Sequence, residues 1–298
     1  MEERLEPASG VLYVVGTPIG NLGDLSPRAR ALLSKVSGIA CEDTRHSGQL
    51  LKLINAKGKR YSFHQHNTQS RIPQFLKLLN QGQSLALISD AGLPGISDPG
   101  EDLVAAAIAE GLDVICIPGP CAATTALVSS GLPSGRFCFE GFLPAKPKQR
   151  LERLMTIAKE PRTTVIYEAP HRLRQLLEEL MDHCGPDRPL QVARELTKCH
   201  EQKVGSTVAE AFNHFQNSKP IGECTLVLGG AGKDPAIEKT DAEWLEELTS
   251  LIAAGATPSE AARELAQQSG QSRRALYALL HQKRQIAQPR ADEAGKMI

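Results

Sequence analysis

Asp90 and Asp98 stand in the stretch of this 298-residue chain with the most chemical character, LALISDAGLPGISDPG over residues 85–100. An uninterrupted apolar run opens it, as a strand buried on both faces reads. At Asp90 the run breaks into a loop shaped by Gly92, Pro94, Gly95, Pro99 and Gly100, and a helical pattern follows over 101–110. Glycine allows backbone to approach a ligand closely, and proline fixes the path between. In open α/β sheets ligands bind beyond the carboxyl ends of the strands, where such a loop lies. The bland reading is a long surface connection, yet irregular loops of this kind inside compact domains are usually functional.

The loop carries no Lys or Arg, and both its charges are negative. Phosphate sites combine a glycine-rich turn with a helix N-terminus and often a lysine. Gly92, Gly95 and Gly100 match neither G-x-G-x-x-G nor a Walker loop. A carboxylate beside exposed carbonyls suits a ligand with ribose hydroxyls, an amine and a cationic centre. S-adenosylmethionine has all three and no phosphate; a dinucleotide held by backbone amides alone is the competing ligand.

Alternating apolar runs and helical patterns must position this loop. Strand patterns at 11–15, 39–41, 60–63, 85–88 and 114–117 alternate with helical ones at 47–54, 69–81 and 101–110, and Ser26-Pro27 opens a helix after the first strand. That alternation predicts a mainly parallel sheet. From about residue 130 the pattern restarts, with strands at 137–141, 163–167 and 190–193 and antiparallel additions at 204–206 and 224–228. The fold class expected is α/β: two α/β domains, the first on a parallel sheet, the second on a mixed one, with a small helical C-terminal segment resembling a helix-turn-helix. The expected divisions are a tail at 1–10, domains at 11–129 and 130–232, and linker plus helices at 233–298. Three helices are read in the last segment, at 241–253, from Thr257-Pro258 onward with a capping-box spacing to Glu260, and at 272–282.

Bulk composition narrows the function. Lys and Arg number 34 against 34 Asp and Glu, so no global basic footprint for nucleic acid exists, and RNA contact must come from local patches. Such patches occur at 57–60, at 146–153 and in the acid-free stretch 271–290. Seven scattered cysteines without a C-x-x-C pair read as reduced thiols of a cytoplasmic protein. No apolar run approaches the roughly 20 residues that span a bilayer, so no membrane is expected. His64-Gln65-His66 could chelate a metal, but with no further ligand in sequence range none is expected.

GTPIGNLGDLSPRA, CEDTRHSGQLL, LISDAGLPGISDPG, PGPCAATTAL, FEGFLPAK, IYEAPHRL and ARELTK occur in this order, followed by the basic tail. Together they closely resemble the tetrapyrrole methylase family of class III S-adenosylmethionine-dependent methyltransferases, in its branch acting on ribosomal RNA. The resemblance runs from residue 11 into the tail. It implies two α/β domains with the methyl donor in the cleft between them, a homodimer, and 2′-O-methylation of a decoding-site cytidine in 16S rRNA of the small ribosomal subunit; methylation of a tetrapyrrole or other small acceptor, and a non-catalytic nucleic-acid-binding protein, are the competing readings. Leu93 stands where that family's loop carries threonine, a loss of one hydroxyl worth about 1 kcal/mol as a hydrogen bond.

For the donor, the resemblance points to Pro18, Asp90, Ala91, Gly92, Ile96, Cys121 and Ala122, and in the second domain to Leu143, Ala169, Ala193, Gly222 and Thr225. Arg28, Lys146, Lys148, Arg150, Arg273 and Arg274 are the expected RNA contacts. Cys121 has no histidine near it in sequence, which argues against a nucleophile. Methyl transfer to a hydroxyl is helped by a base. Glu42, Glu168, His171, Glu195 and Lys198 lie at predicted strand ends, and Glu168 is the preferred catalytic candidate. Pairing of Glu168 with Arg172, and of Arg194 with Glu195, are the competing structural readings.

Overall fold

A computed structural model describes residues 7–232, 240–269 and 271–286. They form two compact units, Met1–Ala231 and Gly232–Ile298.

In the first unit, five short apolar runs become strands β1 (Leu12–Val15), β2 (Gly38–Cys41), β3 (Lys59–Ser62), β4 (Leu85–Ile88) and β5 (Val114–Ile117). They pair in parallel in the order β3-β2-β4-β1-β5. Helices α1 (Pro27–Leu33), α2 (His46–Leu53), α3 (Thr68–Asn80) and α4 (Glu101–Ala109) make the crossovers. Because β1, β2 and β4 are apolar on both sides, they carry two cores. Tyr13, Val15, Ile39 and Ile88 pack with Leu32 and Leu33 of α1 on one face, and Leu12, Leu85 and Leu87 pack with Phe75, Leu79 and Leu103 on the other. Ser26 caps α1 by accepting from the Ala29 amide at 3.1 Å, with Pro27 in the first turn where its missing N–H does no harm.

The second sheet holds β6 (Phe137–Phe142), β7 (Thr163–Glu168), β8 (Leu190–Arg194), β9 (Gln202–Val204) and β10 (Cys224–Leu228) in the order β6-β7-β10-β8-β9. Only β6 and β7 run parallel; the pairs of β10 with β7 and β8, and of β8 with β9, are antiparallel. Helix α5 (Ala122–Ser129) follows β5 in sequence yet packs on this second sheet, its Ala123, Ala126 and Leu127 against Val165, Ala193 and Val227. The chain therefore changes lobes within residues 118–121. The opposite face is covered by α6 (Pro147–Lys159), α7 (Leu173–Cys184) and α8 (Val208–Asn217).

Helix α8 occupies a stretch read from sequence only as a passage between strands. Its start signal is local: Thr207 Oγ1 accepts from the Glu210 amide at 3.2 Å, and the Glu210 carboxylate accepts from the Ser206 amide at 3.0 Å.

The second unit is a bundle of α9 (Asp241–Ala253), α10 (Pro258–Ser269) and α11 (Arg273–Ile286) around Trp244, Leu248, Ala261, Ala262, Leu265 and Leu276. Thr240 with Glu243, and Thr257 with Glu260, close reciprocal caps. Residues 287–298, including the basic Arg290, lie outside the described residues.

The loops after β1 and β5 cross backbone to backbone. A Cβ added at Gly119 would lie 2.7 Å from Gly16 Cα and 2.8 Å from its carbonyl oxygen. Nothing there can rotate away, so Gly119→Ala should destabilise the first unit by about 1–3 kcal/mol. The expected reading is a lower urea midpoint at unchanged slope; an unaltered midpoint would mean that the crossing is not tight.

Candidate functional site

The carboxyl ends of β4 and β1 are bound together before any site is made. Thr17 and Gly92 exchange backbone hydrogen bonds of 2.9 and 3.1 Å, and the buried Thr17 hydroxyl donates to the Ser89 and Gly92 carbonyls, each at 3.3 Å. The segment after β4 then turns with positive φ at Gly92, Gly95 and Ser97 and reaches toward the second lobe. Between them is a cavity of about 350 Å³.

Its walls come from both sheets. Asp90, Ala91, Gly92 and Ile96 line it from the first lobe, and Cys121 and Ala122 from the start of α5. Ala169 and Thr225 line it from the second lobe. Of the remaining expected residues, Pro18 faces an adjoining cavity. Leu143 is buried in the core of the second lobe, where its carbonyl accepts from Arg172 at 3.1 Å. Ala193 lies in register with Thr225 but is covered, and Gly222 backs against Glu195.

Leu93, Ser97, Asp98, Phe142, Tyr167 and Glu223 also line the cavity. Tyr167 and Phe142 form an aromatic wall that sequence reasoning missed. Tyr167 sits edge-on to Phe139 and Phe142, with centroids 5.0 and 5.6 Å away, and its hydroxyl accepts from the Ala123 amide at 3.0 Å. It thereby satisfies a first-turn N–H of α5 that Cys121, at the N-cap, leaves uncapped. Both aromatics stand inside motifs already singled out, FEGFLPAK and IYEAPHRL, so the motif was the available signal.

The electrostatics are one-sided. Among the described residues, no Lys or Arg lines this cavity, while Asp90 and Asp98 do. Burial pushes the Asp98 carboxyl up to about 6, with Glu42 and Asp90 adding to the rise and a hydrogen bond from Ser89 opposing it. Glu42 is raised as well, by burial first and then by Asp90. Asp90 accepts from the Asp43 amide at 3.3 Å and the Ser47 hydroxyl at 3.4 Å. An uncompensated acidic cavity is a receptor for a cation.

Glu168, expected as a base, is otherwise engaged. Its side chain is 0% exposed; Oε1 meets the Ala169 amide and Arg172 Nε at 3.0 and 3.4 Å, and Oε2 meets Arg150 at 3.3 Å. A carboxylate held by two guanidinium groups anchors the wall. The same cluster corrects Arg150, expected to contact RNA. It points inward, with a side chain 5% exposed, and also donates to both oxygens of Glu179. Position 150 falls on the buried stripe of α6 with Leu154 and Ile157, a helical spacing that separates it from its basic neighbours. Lys146 and Lys148 are exposed at the start of α6, Arg28 at the start of α1, and Arg273 and Arg274 at the start of α11.

Arg194 donates to Gln202 and to the Ile221 carbonyl, while Glu195 takes Lys198 at 2.9 Å, so the Arg194–Glu195 pair does not form. His64 and His66 pack with ring centroids 6.0 Å apart. Among the described residues no group of three or more His, Cys, Asp or Glu is arranged to hold a metal ion.

The sequence and fold have known counterparts. The model of the Tetrapyrrole (Corrin/Porphyrin) Methylases matches residues 11–211. A protein of Synechocystis, "Ribosomal RNA small subunit methyltransferase I", is 47% identical over 270 residues, 91% of this chain and 97% of its own. The protein of the same name from Escherichia coli O157:H7 is 42% identical over 275 residues, covering 92% and 96%. Among solved structures, uroporphyrin-III-C-methyltransferase from Thermus thermophilus shares the fold, with a TM-score of 0.53 at 22% identity over 74% of this chain and 94% of that one. A family match across most of the first unit and relatives this similar along nearly the whole length lead to one conclusion: the chain belongs to the tetrapyrrole methylases.

Proposed function

We propose that this protein transfers the methyl group of S-adenosylmethionine to the ribose 2′-hydroxyl of a decoding-site cytidine in 16S rRNA, within the small ribosomal subunit. The observation that carries the donor is the acidic, aromatic-walled cavity at the strand ends, which has carboxylates for a sulfonium, an amine and ribose hydroxyls but no cation for phosphate. The relatives' printed names support the acceptor's class, small-subunit ribosomal RNA, since proteins 47% and 42% identical along almost the whole chain are named as small-subunit rRNA methyltransferases; the cytidine ribose is the finer part of the proposal. Exposed cations on both lobes and at the start of α11 suit a ribosome-sized partner. With that substrate, the protein works in the cytoplasm, and we assign it a homodimeric assembly.

The donor, when bound, supplies an activated methyl on a sulfonium. The chain supplies alignment. Asp90 and Asp98 attract and orient the cation, the Thr17–Gly92 tie keeps their loop fixed, and Tyr167 and Phe142 exclude water. In-line displacement draws most of its rate from such positioning. Among the described residues, no helix is long and apolar enough to cross a membrane.

The reading has a direct test. Ribose-methylation mapping of 16S rRNA from cells lacking this gene should reveal one missing decoding-site mark, restored by the wild type and not by Asp90→Ala. Transfer of labelled methyl to porphyrin precursors instead of small subunits would replace the acceptor.

Asp98 predicts a pH dependence. Its carboxyl is neutral below about 6, and only the ionised form attracts the donor's cation. Donor affinity measured by calorimetry should therefore rise by about tenfold per pH unit up to 6 and level off above 7. Asp98→Asn should flatten the profile. Because the folded-state value lies above the ordinary 3.8, ionisation at neutral pH opposes folding. Asp98→Asn should thus raise Tm at pH 7, the gain shrinking as pH falls and vanishing below 3.8.

A further inference from the structure

A second cavity, of about 360 Å³, adjoins the donor cavity and shares Ile19, Asp90, Ala91 and Glu223 with it. Its size falls within the ~300–1,000 Å³ typical of small-ligand sites. Leu22 and Leu53, 53% and 62% exposed, stand at its rim. Among the described residues, the one Lys or Arg lining either cavity is Lys198.

The turn that delivers Lys198 is unusual. Glu195 and Thr197 both adopt left-handed backbone, with φ of 52° and 67°, a conformation that side-chain-bearing residues keep only when their surroundings impose it. The Lys198 amide donates to the Glu195 carbonyl at 3.0 Å, and the Thr197 amide to the Glu201 carboxylate at 2.7 Å. The Thr197 hydroxyl is buried without a partner. From this turn the lysine stem crosses to the first lobe against Gly20, where an added Cβ would lie 2.5 Å from Lys198 Cγ. Strain, an unsatisfied hydroxyl and a glycine-width passage all serve to put one ammonium in this cavity.

We propose that Lys198 is the anchor for the acceptor strand, holding a phosphodiester of the target nucleotide in the second cavity so that its ribose faces the donor. This rests on the function proposed above and deepens it. Lys198 itself is no base: burial lowers its ammonium, but hydrogen bonds and charge from Glu195 and Glu223 outweigh that and hold it above its ordinary value. It donates to Glu195 at 2.9 Å and Glu223 at 3.2 Å. The Glu223 side chain is 75% exposed and free to swing aside for an incoming phosphate, while Glu195 keeps the lysine charged. The carboxylates of Asp90 and Glu223 border both cavities, Asp98 lines the donor cavity alone and Lys198 the second alone, so the ammonium marks the side on which an anionic acceptor would enter. The apolar rim of Leu22 and Leu53 suits the face of a base beside that ribose.

The test uses the full chain and unmethylated small subunits from cells lacking the gene. Lys198→Met should raise KM for subunits about tenfold, leave kcat within threefold and leave the donor Kd unchanged. One lost phosphate contact should reduce the salt dependence of log KM by about 0.7–0.9, and Lys198→Arg should restore most of it. Leu53→Trp, on an exposed position of α2, should raise KM for subunits while Tm and donor Kd hold. Unchanged KM and salt slope in Lys198→Met, with lowered Tm, would reduce Lys198 to a structural tie and overturn the proposal while leaving the function intact. Loss of donor binding in step with KM would overturn it as well, by moving Lys198 into the donor site. A wild type that methylates no ribose in the subunit would overturn both readings.

Discussion

Like charges gathered in a part-buried space repel, and this structure keeps Asp90, Asp98 and Glu42 together with no neutralising Lys or Arg, among the described residues, in the cavity that two of them line. Folding alone would not select that arrangement, because burial and mutual repulsion both disfavour the ionised forms. The rest of the first unit is built so that the arrangement persists. Parallel strands buried on both faces supply the rigid ends, and the reciprocal bonds of Thr17 and Gly92 stop the loop from relaxing outward. A cation entering the cavity would relieve what the scaffold enforces, so part of its binding energy would come from a site held ready.

The opposite solution appears in the wall of the same cavity, at Glu168. Glu168 and Glu179 are fully matched by Arg150 and Arg172, a cluster that joins α6, β7 and α7. Buried pairs of this kind contribute modestly to net stability, yet removing one partner is expensive, because a bare charge remains. They are suited to fixing geometry. Glu168, Ala169 and Pro170 line the cavity themselves, so the paired cluster braces the wall that faces the unpaired acids.

Much of this was legible in the sequence, for identifiable reasons. Apolar runs followed by Gly-Pro-Asp loops announce buried parallel strands, and β5 and α9 appear with the bounds expected, because clear punctuation flanks both. The loop after β4 stood out as a candidate site from its lack of Lys and Arg. What escaped depends on side-chain direction and cross-strand register. Tyr167, Thr225 and Ala193 form one row across β7, β10 and β8, and no periodicity reveals which member stays uncovered. Arg150 was hidden among surface lysines although its spacing to Leu154 and Ile157 marks the inner face of α6. Helix α8 went unread because its cap, Thr207 to Glu210, lies next to a strand.

Helix α5 carries one more implication. It follows the last strand of the first sheet but rests on the second, and its first-turn amide is held by Tyr167. A gene divided between the sheets at residue 130 would sever this helix from the surface it covers, leaving sticky apolar faces on both fragments. Fragment complementation or domain-swapping schemes would have to place the cut ahead of Cys121, inside the short passage from β5.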